Sequence, residues 1–87
     1  MTYSVSLDKA AAKDMNRLDA RIRRQLLRKI AALGDNPRPQ DVKQLKSRDR
    51  AYRVDSGEYR ILYQIDDDRK IVWVFRVGNR KDVYRGM

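Results

Sequence analysis

The chain contains no cysteine and no histidine. A Ser-His-Asp triad, a Cys-His pair, a ribonuclease built on two histidines and a thiolate or imidazole zinc site are therefore all excluded. Disulfides are excluded too, so nothing points to an oxidising compartment. Long apolar runs are also missing. The longest, IVWVF from Ile71 to Phe75, falls far short of the roughly 20 residues that a membrane-spanning helix needs. The opening MTYSVSLDKAAAKD has neither the basic start nor the apolar stretch of a signal peptide. A soluble cytoplasmic protein with no membrane partner is expected.

What is abundant is positive charge. Lysine and arginine number 21 against 12 acidic residues, a net charge of +9 in 87 residues. That length allows a single domain, residues 1–87, with a thin core that a bound partner would help. A charge this one-sided predicts a polyanion, an acidic protein or an anionic membrane as partner.

The hydrophobic pattern divides the chain into a strand, a helical middle, a polar loop and a β-rich end. Tyr3, Val5 and Leu7 alternate with polar residues, the period of a half-buried strand. Asp8 and Asp19 are placed to cap two helices, the first with Ala11, Met15 and Leu18 on one face. The second carries Ile22, Leu26, Ile30 and Leu33 at spacings of three and four. Gly34 is its expected terminator, and Pro37 and Pro39 prevent its resumption. Arg38 to Arg50 reads as a polar loop anchored by Val42 and Leu45.

Two hairpins follow: AYRVD (51–55) and EYRILYQI (58–65) around Ser56-Gly57, then a turn at Asp66 to Arg69 into Lys70 to Val77. That last strand is apolar on both sides, which places it inside a sheet. The fold class is α+β, in the order βααβββ: a mostly antiparallel four-stranded sheet with two antiparallel helices packed on one face.

Alternation then sorts the side chains. If Tyr52, Val54, Ile61, Tyr63, Trp73 and Phe75 face the helices, then Arg53, Asp55, Arg60, Leu62, Gln64 and Arg76 occupy an uncovered face. With Lys43, Lys46 and Arg48 from the loop and Arg80, Lys81, Tyr84 and Arg85 after the last strand, that face suits single-stranded nucleic acid. Guanidinium forks hold phosphates and a tyrosine can stack on an unpaired base. Tyr52, Tyr59 and Tyr63 read as packing residues, and Asp66 to Asp68 as a solvated turn rather than a cation site. Arg21, Arg23, Arg24, Arg28 and Lys29 read as the solvated back of the second helix.

Two pieces of the β-rich half carry a resemblance: Y-R-V-x-x-G-x-Y-R-x-x-Y at 52 to 63, and V-G-x-R-x-x-V-Y at 77 to 84. At this spacing in a short basic chain they resemble the RelE branch of the RelE/ParE toxins of type II toxin–antitoxin modules. The resemblance extends over nearly the whole chain and implies the βααβββ fold. It implies a cofactor-free, metal-independent endoribonuclease that cuts messenger RNA in the ribosomal A site. The partners implied are an acidic RelB-like antitoxin, the ribosome and mRNA, with contacts to ribosomal RNA.

By position, the resemblance assigns Arg53 and Arg60 to phosphate stabilisation, Arg80 to the leaving oxygen, and Tyr84 to base stacking. Lys43, Lys46, Arg48, Arg76, Lys81 and Arg85 are the expected RNA-binding residues. The chain departs from the family where a second basic residue often follows two positions after the first, for here stands Asp55. Asp55 is then the general base itself, or a loop lysine is, or cleavage is slow. Among arginines, Asp55 is expected to pair with Arg53 or Arg60 and orient a guanidinium. A ParE-type inhibitor of DNA gyrase and a non-catalytic RNA-binding module are the alternatives.

Overall fold

The alternating N-terminal residues form strand β1 (Ser4–Leu7), which pairs in parallel with the last strand, β5 (Ile71–Asn79). The structure is a computed structural model that describes residues 2–46 and 48–83. Between these strands lie α1 (Lys9–Asn16), α2 (Ala20–Asp35), β2 (Lys43–Gln44), β3 (Ala51–Ser56) and β4 (Tyr59–Asp66). The sheet order is β1-β5-β4-β3-β2, with every pairing but β1–β5 antiparallel.

Both helices start where the aspartates predict. Asp8 Oδ1 accepts from the Ala10 N–H at 3.0 Å, and Asp19 Oδ1 from the Ile22 N–H at 3.0 Å. Ala11, Met15, Leu26, Ile30 and Leu33 are buried against Val54, Ile61, Tyr63, Ile65, Val72, Val74 and Val77. The buried Tyr63 hydroxyl donates to the Pro37 carbonyl at 2.6 Å, which ties the chain leaving α2 to the core. Burial raises its pKa above the ordinary tyrosine value.

Four expectations need correction. The sheet has five strands, because Lys43–Gln44 adds a two-residue edge strand to β3. Two polar residues carry no readable period. Gly34 lies inside α2, whose C-cap is Asn36. Its lack of a side chain serves packing instead: a Cβ there would stand 3.1 Å from the Tyr3 carbonyl oxygen. That close approach lets the Tyr3 N–H donate to Gly34 O at 2.7 Å. The first hairpin turns at Gly57-Glu58, one residue later than expected, with Gly57 at φ +60°.

The fourth correction concerns the faces of β5. Val72, Val74 and Val77 point to the helices, not Trp73 and Phe75. Leu62 pairs with Arg76 and Tyr63 with Val74, so Phe75 is the extra residue of a bulge. The bulge shifts the period by one, and a strand apolar on both sides gives no hint of it. The outer face is consequently not bare. Leu45, Ala51, Leu62, Phe75 and Val83 form a second small cluster there.

Candidate active site

The register of the outer face sets the geometry of the basic residues. Lys43 stands opposite Arg53, Arg53 opposite Leu62, and Leu62 opposite Arg76. In the adjacent row Asp55 stands opposite Arg60, and Arg60 opposite Gly78. Directly paired residues share a face. Lys43, Arg53, Asp55 and Arg60 therefore cluster around one point, beside a position in β5 with no side chain.

Asp55 links the two arginines. Its Oδ1 accepts from Arg60 Nε at 3.1 Å and from Arg53 Nη1 at 3.4 Å. The guanidinium-bearing side chains are only about one-fifth exposed, at 20% and 21%. An exposed ion pair contributes little to stability, so the consequence of this one is orientation. Asp55 takes a single N–H from each guanidinium. The pairing expected from the sequence is present, to both arginines rather than one.

Past β5 the chain turns back over the outer face. Asp82 and Val83 donate their N–H groups to the Asn79 carbonyl, at 2.8 and 2.9 Å. Asn79 Oδ1 accepts from the Lys81 N–H at 3.0 Å. The buried Val83 lands on Leu62 and Phe75. Arg80 is held at the β3–β4 turn: its N–H donates to the Glu58 carbonyl at 2.9 Å, and its Nε lies 3.5 Å from Glu58 Oε2. Arg80 thus sits two residues beyond Gly78, the partner of Arg60. Tyr84 and Arg85 lie outside the described residues.

The remaining basic residues divide. Arg48 lies over the Phe75 ring, 4.1 Å from its centroid, on the outer face. Lys46 and Lys81 are exposed, in the β2–β3 loop and the turn after β5. Arg76, expected on the RNA-facing surface, is turned to α1. Its Nε donates to Asp14 Oδ2 at 2.9 Å, and the same oxygen accepts the Val77 N–H at 3.0 Å. β1 pairs with β5 only as far as Leu7↔Val74. Asp14 therefore covers the edge of β5 that β1 leaves open. Sequence reading missed Asp14 because its partners lie 62 and 63 residues away.

Comparison with known proteins matches this arrangement to one family. The model of the ParE toxin of type II toxin–antitoxin systems covers residues 5–84. The chain belongs to the RelE/ParE toxin family. It is 30% identical over 83 residues to the mRNA interferase toxin RelE of Escherichia coli, covering 93% of this chain and 86% of that protein. It is 35% identical over 88 aligned positions to toxin RelG of Mycobacterium tuberculosis, covering 98% and 99% of the two chains. Among solved structures, a chain of the toxin–antitoxin complex RelBE2 from M. tuberculosis superposes with a TM-score of 0.81 at 29% identity. That match covers 92% of this chain and all of the other. The five-stranded α+β fold of this RelE/ParE toxin is thus the fold of its relatives.

Proposed function

We propose that this toxin is an endoribonuclease that cuts messenger RNA on the ribosome, in the cytoplasm, and that one domain of residues 1–87 suffices. The observation that carries the reading is the convergence of Arg53 and Arg60 on Asp55, with Lys43 across from Arg53. Two oriented guanidiniums on a thinly covered sheet face form a site for one phosphodiester.

The reaction follows from the RNA itself. The 2′-oxygen bonds to phosphorus, the bond from phosphorus to the 5′-oxygen breaks, and the products are a 2′,3′-cyclic phosphate and a free 5′-hydroxyl. Arg53 and Arg60 neutralise charge on the non-bridging oxygens, and Arg80, once released from Glu58, stabilises the leaving oxygen. The 2′-hydroxyl proton goes to a basic group beside the phosphate, a position that Lys43 fits when its amine is neutral, and the 5′-oxygen takes up a proton from water. Tyr84 stacks on a base. A RelB-like antitoxin, the kind of partner present in the RelBE2 complex, holds the toxin inactive.

Incubation with programmed ribosomes and mapping of messenger ends tests the reading. Cleavage within the A-site codon is expected, unaffected by a chelator of divalent ions beyond its effect on the ribosome. The family model carries the ParE name, which favours gyrase as the alternative target. Inhibition of DNA supercoiling with intact messenger would replace the ribonuclease reading by that one.

A further inference from the structure

The outer face of the sheet has a concavity towards the end of β4 away from Arg60. It measures about 430 Å³ and is lined by Asp49, Arg50, Gln64, Asp66, Arg69 and Trp73, among others. Trp73 is 43% exposed, whereas Val72 and Val74 on either side are fully buried. An indole left open in a concave site offers a flat apolar face to a ligand. A second, independent observation is the backbone of Arg50. Its φ of 54° lies in the left-handed region that long side chains rarely adopt. That conformation sits on the lining of this concavity.

The location ties this concavity to the cleavage site. Gln64 is the register partner of Trp73, and Arg60, Leu62 and Gln64 alternate along one face of β4. Four residues of strand place Gln64 about 13 Å from Arg60. The available chemistry is a flat π-face, two guanidiniums, an amide and two carboxylates. Gln64 Nε2 donates to the Asp49 carbonyl at 3.2 Å, which leaves its Oε1 as an acceptor. Such a set suits an unpaired nucleobase, stacked on the indole and hydrogen-bonded at its edge, with a phosphate nearby. A docking helix would instead need a row of apolar anchor positions, and here one aromatic stands among charged groups.

We infer that this concavity holds the base of a nucleotide flanking the cleaved bond, stacked on Trp73, with Arg50 or Arg69 at its phosphate. The inference rests on the RNA-cleaving reading and adds a subsite to it.

The test uses the fact that Trp73 is the chain's single tryptophan, so emission excited in the tryptophan band alone reports on this site. A hexaribonucleotide with every 2′-oxygen methylated cannot be cleaved by its own hydroxyl. Titrated into the full chain, it should quench the emission saturably, and an abasic analogue should quench several-fold less. RNA that binds by fluorescence anisotropy and leaves the emission unchanged would overturn the inference.

On programmed ribosomes, Trp73→Ala should raise KM by about tenfold, within the range of one lost base–aromatic stack, with kcat little changed. Trp73→Phe should restore most of the loss. If the free oligonucleotide does not bind, this assay decides alone, and an unchanged KM in Trp73→Ala refutes the subsite while leaving the ribonuclease reading intact. Normal cleavage with weakened antitoxin binding would assign the concavity to a protein partner. A wild-type chain that cuts no messenger would remove both readings together.

Discussion

Lys43 in the edge strand β2 is the cross-strand partner of Arg53, which brings an amine to the Arg53–Asp55–Arg60 cluster from 10 residues upstream. Lys43→Ala is accordingly expected to lower single-turnover cleavage on programmed ribosomes by about tenfold or more, the lower range of positioned acid–base catalysis. Lys46→Ala, outside the strand pairing, should change it by less than about threefold. Equal effects would mean that the two lysines act only through general charge.

Arg80 is tied to the Glu58 backbone and lies near its carboxylate, with its own side chain 55% exposed. Removing its guanidinium should leave the fold untouched, since an exposed pair at that distance contributes little. Arg80→Ala should nevertheless lower cleavage by about 100-fold, the scale of losing one transition-state charge partner. Thermal unfolding measured beside cleavage separates the two effects. Wild-type cleavage by this variant would take Arg80 out of the site.

The sequence displayed the elements whose signal is local. Both N-cap aspartates, the α2 stripe and the alternation of β3 and β4 follow from spacing alone. Asp55 between arginines also followed, since charge and period both placed it there. Three features did not, each for a physical reason. The bulge at Phe75 is invisible in a strand with apolar residues on both faces. β2 is too short to show a period. Asp14 looks like any helical acid until the open edge of β5 is seen beside it. Arg53, Asp55 and Arg60 were therefore legible as neighbours on one face, and the residues opposite them required the sheet register.

Asp67 joins three elements through its side chain. It accepts from Arg38 at 2.9 and 3.1 Å and from the Tyr3 hydroxyl at 2.7 Å. The Arg38 guanidinium, followed by Tyr3, holds its carboxyl well below the usual carboxylate range. A depressed pKa stabilises the fold above the unfolded-state value of about 3.9 and loses that contribution as pH falls towards the folded value. Asp67→Asn should therefore narrow to nothing against wild type in strong acid and be the less stable protein at neutral pH. Urea unfolding across this pH range checks it. High salt should shrink the difference, because the group is exposed. A constant difference at every pH would mean that packing rather than charge is responsible.

The +9 charge predicts how a RelB-like antitoxin arrives. An acidic partner would be steered by the field of the whole toxin, so association should be fast at low ionic strength and slow steeply with salt. Stopped-flow association between about 50 mM and about 500 mM salt reads this directly, the upper end screening beyond a few ångströms. A flat rate would mean that apolar contacts lead the encounter.

Asp55 stands between the two arginines of the proposed site, and its geometry makes a sharp case. A carboxylate that already accepts from Arg53 and Arg60 is poorly placed to take a proton from a 2′-hydroxyl. It would also repel the phosphate that those arginines attract. Its effect on the reaction is then to hold two guanidiniums in one orientation. Asp55→Asn keeps an oxygen acceptor at the same place and removes the charge, so cleavage should fall by no more than about tenfold. Asp55→Lys adds a cation next to the phosphate site and should preserve or raise cleavage, provided Arg53 and Arg60 stay on the same face. Asp55→Ala removes the acceptor altogether and should raise KM more than it lowers kcat, because loosened arginines bind phosphate less well before they stabilise it less well. Circular dichroism on all three variants controls for folding. A loss of several hundredfold in Asp55→Asn, confined to kcat and with the fold intact, would make this carboxylate the general base and give Lys43 a purely electrostatic part.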